Sequence, residues 1–298
     1  MANLRPWQLN AGTSPAHRRV TSCGLALAVL FSVAPRLPQA QQLDPKGDED
    51  DLNVKMRISV DGVNTNVGVV LDAGWRWTYD GAKKSCDPAI LDGRGMELCF
   101  LQGLRDEQYE KNYGIMVGDP FLDAVTLRYA AKGQYNTKPN YGQRVYITDT
   151  TGYHLFKPMG GELAFTVDLS QVPAGMNAAV YLVSMDALGH LGTSQPTGII
   201  NDAGWKRGVG YCDAQCPTDV NFVQGQGFNV GNKLASCCPE MDLFEANRFT
   251  TAMTAHPCKL ASGHVCDTSV NPDCQASCDK EGADVNPFRF GGPGNALF

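Results

Sequence analysis

Positive charge is scarce in this sequence. Lysine and arginine number 25 against 31 aspartates and glutamates, a formal net charge of −6, which argues against nucleic acid as a partner. Internal repeats, heptads and low-complexity blocks are missing, and so is any Ser/Thr/Pro-rich linker that would mark off a second module. Solenoids and coiled coils are thereby excluded. No long amphipathic helical pattern stands out. The apolar run Val20 to Ala34 is shorter than a membrane-crossing helix requires. Preceded by Arg5, Arg18 and Arg19, it reads as a targeting segment. Cleavage after Ala40 would start the mature chain at Gln41, with an uncleaved signal-anchor as the alternative.

Glycine (32) and proline (17) are plentiful, and hydrophobic residues reach 43%. That composition fits a loop-rich β protein with a sizeable core. Val67 to Leu71, Arg144 to Thr148, Glu162 to Leu169 and Ala178 to Met185 read as strands, rich in β-branched and aromatic residues between turn formers. Of 11 cysteines, Cys23 lies in the apolar run, leaving an even set after processing. Even numbers suit disulfides in an exported chain. A metal site of Cys212, Cys216, Cys237 and Cys238 is the competing reading.

The densest chemistry lies in Cys237-Cys238-Pro239-Glu240-Met241-Asp242-Leu243-Phe244-Glu245-Ala246-Asn247. On a strand, Glu240 and Asp242 share a face because side chains alternate, whereas Glu245 has the opposite parity. Glu245 joins them only if a bulge falls between Asp242 and Glu245. Two carboxyls on one sugar bond are the equipment for glycoside hydrolysis, one as nucleophile and one as acid then base. Asp242 would support the nucleophile. An acidic surface strand or a helix start is the alternative on spacing alone.

The same segment, followed by His256-Pro257-Cys258, resembles the signature of glycoside hydrolase family 7, the cellobiohydrolase and endoglucanase type of cellulase. Leu71 to Trp77, Gly175 to Asp186, Gly210 to Pro217 and Asp284 to Arg289 resemble further family segments in the same order. The resemblance implies an all-β, concanavalin-like β-sandwich (jelly roll) of curved antiparallel sheets with long loops. It implies Glu240 as nucleophile, Asp242 as its support, Glu245 as acid/base and His256 beside them. Asn177, Tyr181, Asp213, Gln215 and Arg289 match cleft positions that bind substrate. Trp75 and Trp77 match aromatic platforms for sugar rings, and their spacing is expected to put both indoles on one strand face.

The disulfide pairing implied by the resemblance is Cys212–Cys238, Cys216–Cys237, Cys258–Cys278, Cys266–Cys274 and Cys86–Cys99. Three positions depart from the family pattern: Phe244 and Val285 replace tryptophans, and Ala214 replaces a serine. Short segments at Gly227 to Ser236 and Asp267 to Ser277, where processive relatives carry long lids, point to an open cleft and endo-cleavage. The expectation is therefore a secreted, extracellular, retaining endo-β-1,4-glucanase. Residues 1–40 would be a signal peptide and 41–298 a partial catalytic domain lacking the family's C-terminal third. Its partner would be a β-1,4-glucan, with no nucleic acid, no membrane after processing, no cofactor or metal, and a monomeric state. A catalytically weak β-glucan-binding protein is the alternative.

Overall fold

The computed structural model describes residues 25–32, 54–79, 100–118, 123–133, 138–189, 204–220, 222–223, 227–229, 232–260 and 263–286. Its main element is a nine-stranded antiparallel sheet of β1 (Leu25–Ser32), β2 (Val54–Val60), β3 (Val63–Leu71), β4 (Gln143–Thr148), β5 (Leu155–Phe156), β6 (Asn177–Val183), β7 (Glu240–Asn247), β8 (Thr250–His256) and β9 (Ala283–Val285). Spatial order is β9-β8-β7-β6-β1-β4-β3-β2, with β5 against one end of β1. Asp61-Gly62 makes the β2–β3 turn with both residues at positive φ, 50° and 79°. Such a turn matches the twist of the strands it joins, and Asp-Gly tolerates it.

Alternation along the strands builds two different faces. On one, Val67, Val69 and Leu71 of β3, Val145 and Ile147 of β4, and Val180 and Leu182 of β6 form an apolar core. It is covered by the helix Asp106–Tyr113 through Tyr109 and Tyr113, and by the hairpin Ile115–Val117/Val125–Leu127. On the other face lie Val70, Tyr146, Ala179, Tyr181 and Val183, packed against Tyr211, Cys212 and Cys238. The second face carries the polar chemistry described below.

Three of the four expected strands form within β3, β4 and β6. Glu162 to Leu169 does not join a sheet, and Leu163, Phe165 and Val167 are exposed. Its alternation is that of a strand, but no described strand pairs with it. The apolar run read as a targeting segment contributes β1, which sits inside the sheet. Ala26 to Ser32 pairs with Val183 to Asn177 on one side, and Ala28 to Phe31 with Tyr146 to Gln143 on the other. Cys86–Cys99, Arg289 and the Ala40/Gln41 junction lie outside the described residues.

Candidate active site

The strand β7 is irregular at one point. Val180 pairs with Phe244 and the next residue, Tyr181, pairs with Asp242, so Leu243 is the extra residue of a bulge. The register to β8 shifts at the same place, between Asp242 and Glu245. Met241, Leu243 and Phe244 consequently all pack against the apolar core. Glu240, Asp242 and Glu245 stand opposite Val183, Tyr181 and Ala179, whose side chains build the polar face. This is the bend that parity demanded, and it brings the acids to one side of the sheet.

Each acid has its own neighbours. Glu240 accepts a 3.0 Å hydrogen bond on Oε2 from the backbone N–H of Ala214. Glu245 accepts one at 2.8 Å on Oε1 from Nδ2 of Asn177, the first residue of β6. Asp242 is buried and its Oδ2 lies 3.1 Å from Nε2 of His256 on β8. The other ring nitrogen of His256 lies 3.0 Å from the Asp279 carbonyl. A carbonyl only accepts, so Nδ1 carries the hydrogen there, and Nε2 and Asp242 share whatever proton lies between them. Gly282 is required alongside, since a Cβ there would come within 2.6 Å of His256 Nδ1, and its φ is +67°.

The segment Tyr211 to Gln215 is clamped behind β7. Disulfides Cys212–Cys238 and Cys216–Cys237 fix it, and Cys258–Cys278 and Cys266–Cys274 secure the loops beyond β8. The four sulfurs considered for a metal are bonded to one another, which overturns that reading. Backbone hydrogen bonds add to the clamp, from Cys238 N–H to the Asp213 carbonyl at 3.0 Å and from Asp213 N–H to the Ser236 carbonyl at 3.4 Å. Asp213 is buried; its carboxylate accepts from the Tyr211 hydroxyl and, at 2.7 Å, from the Gln215 N–H. The Gln215 side chain turns elsewhere, donating to the Lys280 carbonyl at 2.8 Å.

Crowding of acids changes their protonation. Burial, then the charges of Asp213 and Asp242, pushes the Glu240 carboxyl up to about 9 against the pull of the Ala214 N–H. Burial, then Glu245, raises Asp242 to about 6, while His256 works the other way. Burial raises Asp213 too, opposed by its bond from Tyr211 and by the Arg144 charge. These carboxyls titrate as a group rather than singly, and the group retains a proton that isolated acids would release.

Trp75 and Trp77 require a correction. Asp72 accepts the Gly74 N–H at 2.6 Å and winds Ala73–Trp75 into a 3-10 turn, so strand alternation stops before the two indoles. Trp75, 8% exposed, packs in the apolar core and donates its ring N–H to the Tyr141 carbonyl at 3.2 Å. Trp77, 6% exposed, stacks on Tyr79 with centroids 4.8 Å apart. Neither ring presents an open face. The departures from the family pattern are also explained. Ala214 holds Glu240 through its backbone, so the side-chain change spares that contact. Phe244 points away from the acids, toward Phe165. Val285 is exposed on β9, in register with Met253.

Sequence reasoning missed Arg144, Asp72 and Tyr146. Arg144 and Asp72 form a buried ion pair at 3.0 Å, and Tyr146 donates its hydroxyl to the same carboxylate oxygen. The available signal was an arginine and a tyrosine at same-face positions of an otherwise apolar strand.

A family model for glycosyl hydrolase family 7 matches residues 55–295. A solved cellobiohydrolase from Melanocarpus albomyces, complexed with cellotetraose, is 31% identical over 81% of this chain and 61% of its own, with a TM-score of 0.69. A family 7 cellobiohydrolase from Daphnia pulex is 26% identical over 81% of this chain and 60% of its own, with a TM-score of 0.65. An endocellulase from Humicola insolens, at 23% identity and a TM-score of 0.61 over 82% of this chain and 61% of its own, shares the fold. The chain thus spans about 60% of the length of the solved proteins it matches. The architecture is the β-sandwich jelly roll of those proteins.

Proposed function

The chain belongs to glycosyl hydrolase family 7, and from that premise we propose that it is a secreted, retaining endo-β-1,4-glucanase. The observation that carries the proposal is the Leu243 bulge, which gathers Glu240, Asp242 and Glu245 on one face. Glu245 protonates the glycosidic oxygen while a Glu240 oxygen attacks the anomeric carbon and the leaving chain departs with that proton. Glu245 then takes a proton from water as the water oxygen displaces Glu240, restoring both groups. Positive charge developing at the sugar favours the ionised form of Glu240, offsetting the burial and acidic neighbours that hold its proton in the resting site. Asp242, tied to His256, steadies the acid beside it.

Endo-action is favoured by compact segments around the cleft: Leu234–Cys237 pairs tightly with His264–Asp267, and Pro272–Ser277 is a single 3-10 turn stapled by Cys266–Cys274. An open cleft admits the middle of a glucan. Secretion is supported by the disulfides, which persist in oxidising compartments. A glucan-binding protein without turnover is the second reading, favoured by the exposed Leu163, Phe165 and Val167 beside Phe244.

Incubation with soluble β-glucan tests the proposal. We expect new reducing ends, a rapid fall in viscosity and initial release of the β-anomer by proton NMR. Glu240→Gln should abolish all three. Binding without turnover would establish the second reading, and initial release of the α-anomer would exclude retention.

A further inference from the structure

Arg144 and Asp72 are 5% and 2% exposed, and both the Nε and Nη2 of Arg144 lie 3.0 Å from Asp72 Oδ2. The Asp72 N–H also donates to the Arg144 carbonyl at 2.9 Å, locking the two backbones together. Burying such a pair removes two charges from water, and apolar residues of similar volume would often serve stability as well. Its placement offers a reason for the pair. The Arg144 guanidinium carbon lies 3.0 Å from the centroid of the Tyr211 ring. The Tyr211 hydroxyl lies 3.1 Å from that of Tyr181 and donates to Asp213. The residue after Asp213 is Ala214, whose N–H holds Glu240. A continuous path of contacts therefore runs from Asp72 through Arg144, Tyr211 and Asp213 to Glu240.

We propose that Asp72 and Arg144 are positioning residues for the reaction: Arg144 brings positive charge, through Tyr211, toward Asp213 and Glu240, and Asp72 sets how much of that charge they feel. The inference rests on the reading of Glu240 as nucleophile. Glu240 is surrounded by the acids Asp213, Asp242 and Glu245 and by the Tyr181 and Tyr211 hydroxyls; Asp219 adds negative charge near Asp213. Arg144 acts on Asp213 from one flank, and His256 lies 3.1 Å from Asp242 on the other. Arg144 itself faces Asp72, Tyr146, Tyr211 and Tyr181. Its charge favours ionisation of Asp213 and of both Tyr181 and Tyr211. The cation counteracts burial along the path.

The two partners carry opposite charges, so their removal has opposite effects. Attack requires ionised Glu240, and its protonation sets the acid limb of kcat/KM. Arg144→Met should move that limb to higher pH by about one unit, Asp72→Asn should move it lower by a similar amount, and Arg144→Lys should return it close to wild type. A purely structural pair would lose activity without these opposed shifts. Carbon NMR titration of the Glu240 carboxyl reads the same shifts without turnover, so the test survives an inactive variant. Shifts of the same sign, or none, in variants with native near-UV circular dichroism would overturn the inference. Activity persisting in Glu240→Gln would instead sink the nucleophile assignment on which it rests.

Discussion

Asn177 Nδ2 donates a 2.8 Å hydrogen bond to Oε1 of Glu245, joining the first residue of β6 to the carboxyl proposed as acid and base. Asn177 is half-buried at the strand end and lies level with the acids because β6 pairs antiparallel with β7. A bond to a charged group is worth about 1.5–3 kcal/mol, and here it fixes a rotamer needed for proton transfer. Asn177→Ala should lower kcat/KM about 10- to 100-fold while lowering Tm by only about 3–6 °C. Steady-state kinetics and thermal melts on the same preparation check both. A large loss of Tm would mean that the amide is structural.

The raised acids predict how stability depends on pH. Glu240, pushed up to about 9, and Asp242, pushed up to about 6, each hold a proton in the fold that the unfolded chain releases nearer 4. Stability from these groups is fully present below the ordinary carboxylate range and is lost as pH rises, first through about 6 for Asp242 and then through about 9 for Glu240. Tm should therefore decline from pH 5 to pH 9. Glu240→Gln should flatten the upper part of that decline, worth about 1–3 kcal/mol, and Asp242→Asn the lower part. A wild-type Tm that climbed over this range would contradict the electrostatics of the cluster.

Much of this site was legible because its constraints are local. Parity made a bulge between Asp242 and Glu245 the condition for gathering all three acids, and Leu243 supplies it. The pairing of Cys237 and Cys238 with Cys216 and Cys212 was implied by the family resemblance, and the structure bonds them so. Readings failed where the deciding interaction lay elsewhere. W-R-W looked like a strand face until a side-chain cap on Asp72 wound the chain into a turn. Glu162 to Leu169 has strand alternation, but alternation reports amphipathicity, whether or not a neighbour is present to hydrogen-bond. Arg144 and Asp72 stand 72 positions apart in sequence and meet only because β3 and β4 are neighbours, which no periodicity reveals.

The two disulfides behind β7 should be held to more than their contribution to stability. Cys212–Cys238 and Cys216–Cys237 close loops with sequence separations of 26 and 21, and each should stabilise by about 2–4 kcal/mol. Replacing Cys216 and Cys237 with alanine should lower Tm and also loosen Ala214, whose N–H holds Glu240. Activity should therefore fall at temperatures well below the melt. Non-reducing peptide mapping should recover both pairs together with Cys258–Cys278 and Cys266–Cys274. Free thiols at these positions in exported protein would refute the clamp.

The strand β1 sets the expected cleavage after Ala40 against the fold. It lies between β4 and β6, and pairs with both. Removal of residues 1–40 takes this strand away and leaves two facing rows of backbone N–H and C=O groups without their neighbour. Open strand edges template aggregation, and unpaired buried backbone groups are costly. The chain beginning at Gln41 should thus melt lower than the chain beginning at Met1 and self-associate at micromolar concentration, with the damage centred on β6 and hence on the Asn177–Glu245 contact. Light scattering and hydrogen exchange on the two proteins measure this, the latter reporting lost protection in Asn177–Val183 and Gln143–Thr148. A synthetic peptide of residues 20–35 added during refolding should restore protection in both strands. If the shorter chain is monodisperse, as stable as the longer one and equally active, β1 is dispensable to the fold and the apolar run serves export alone.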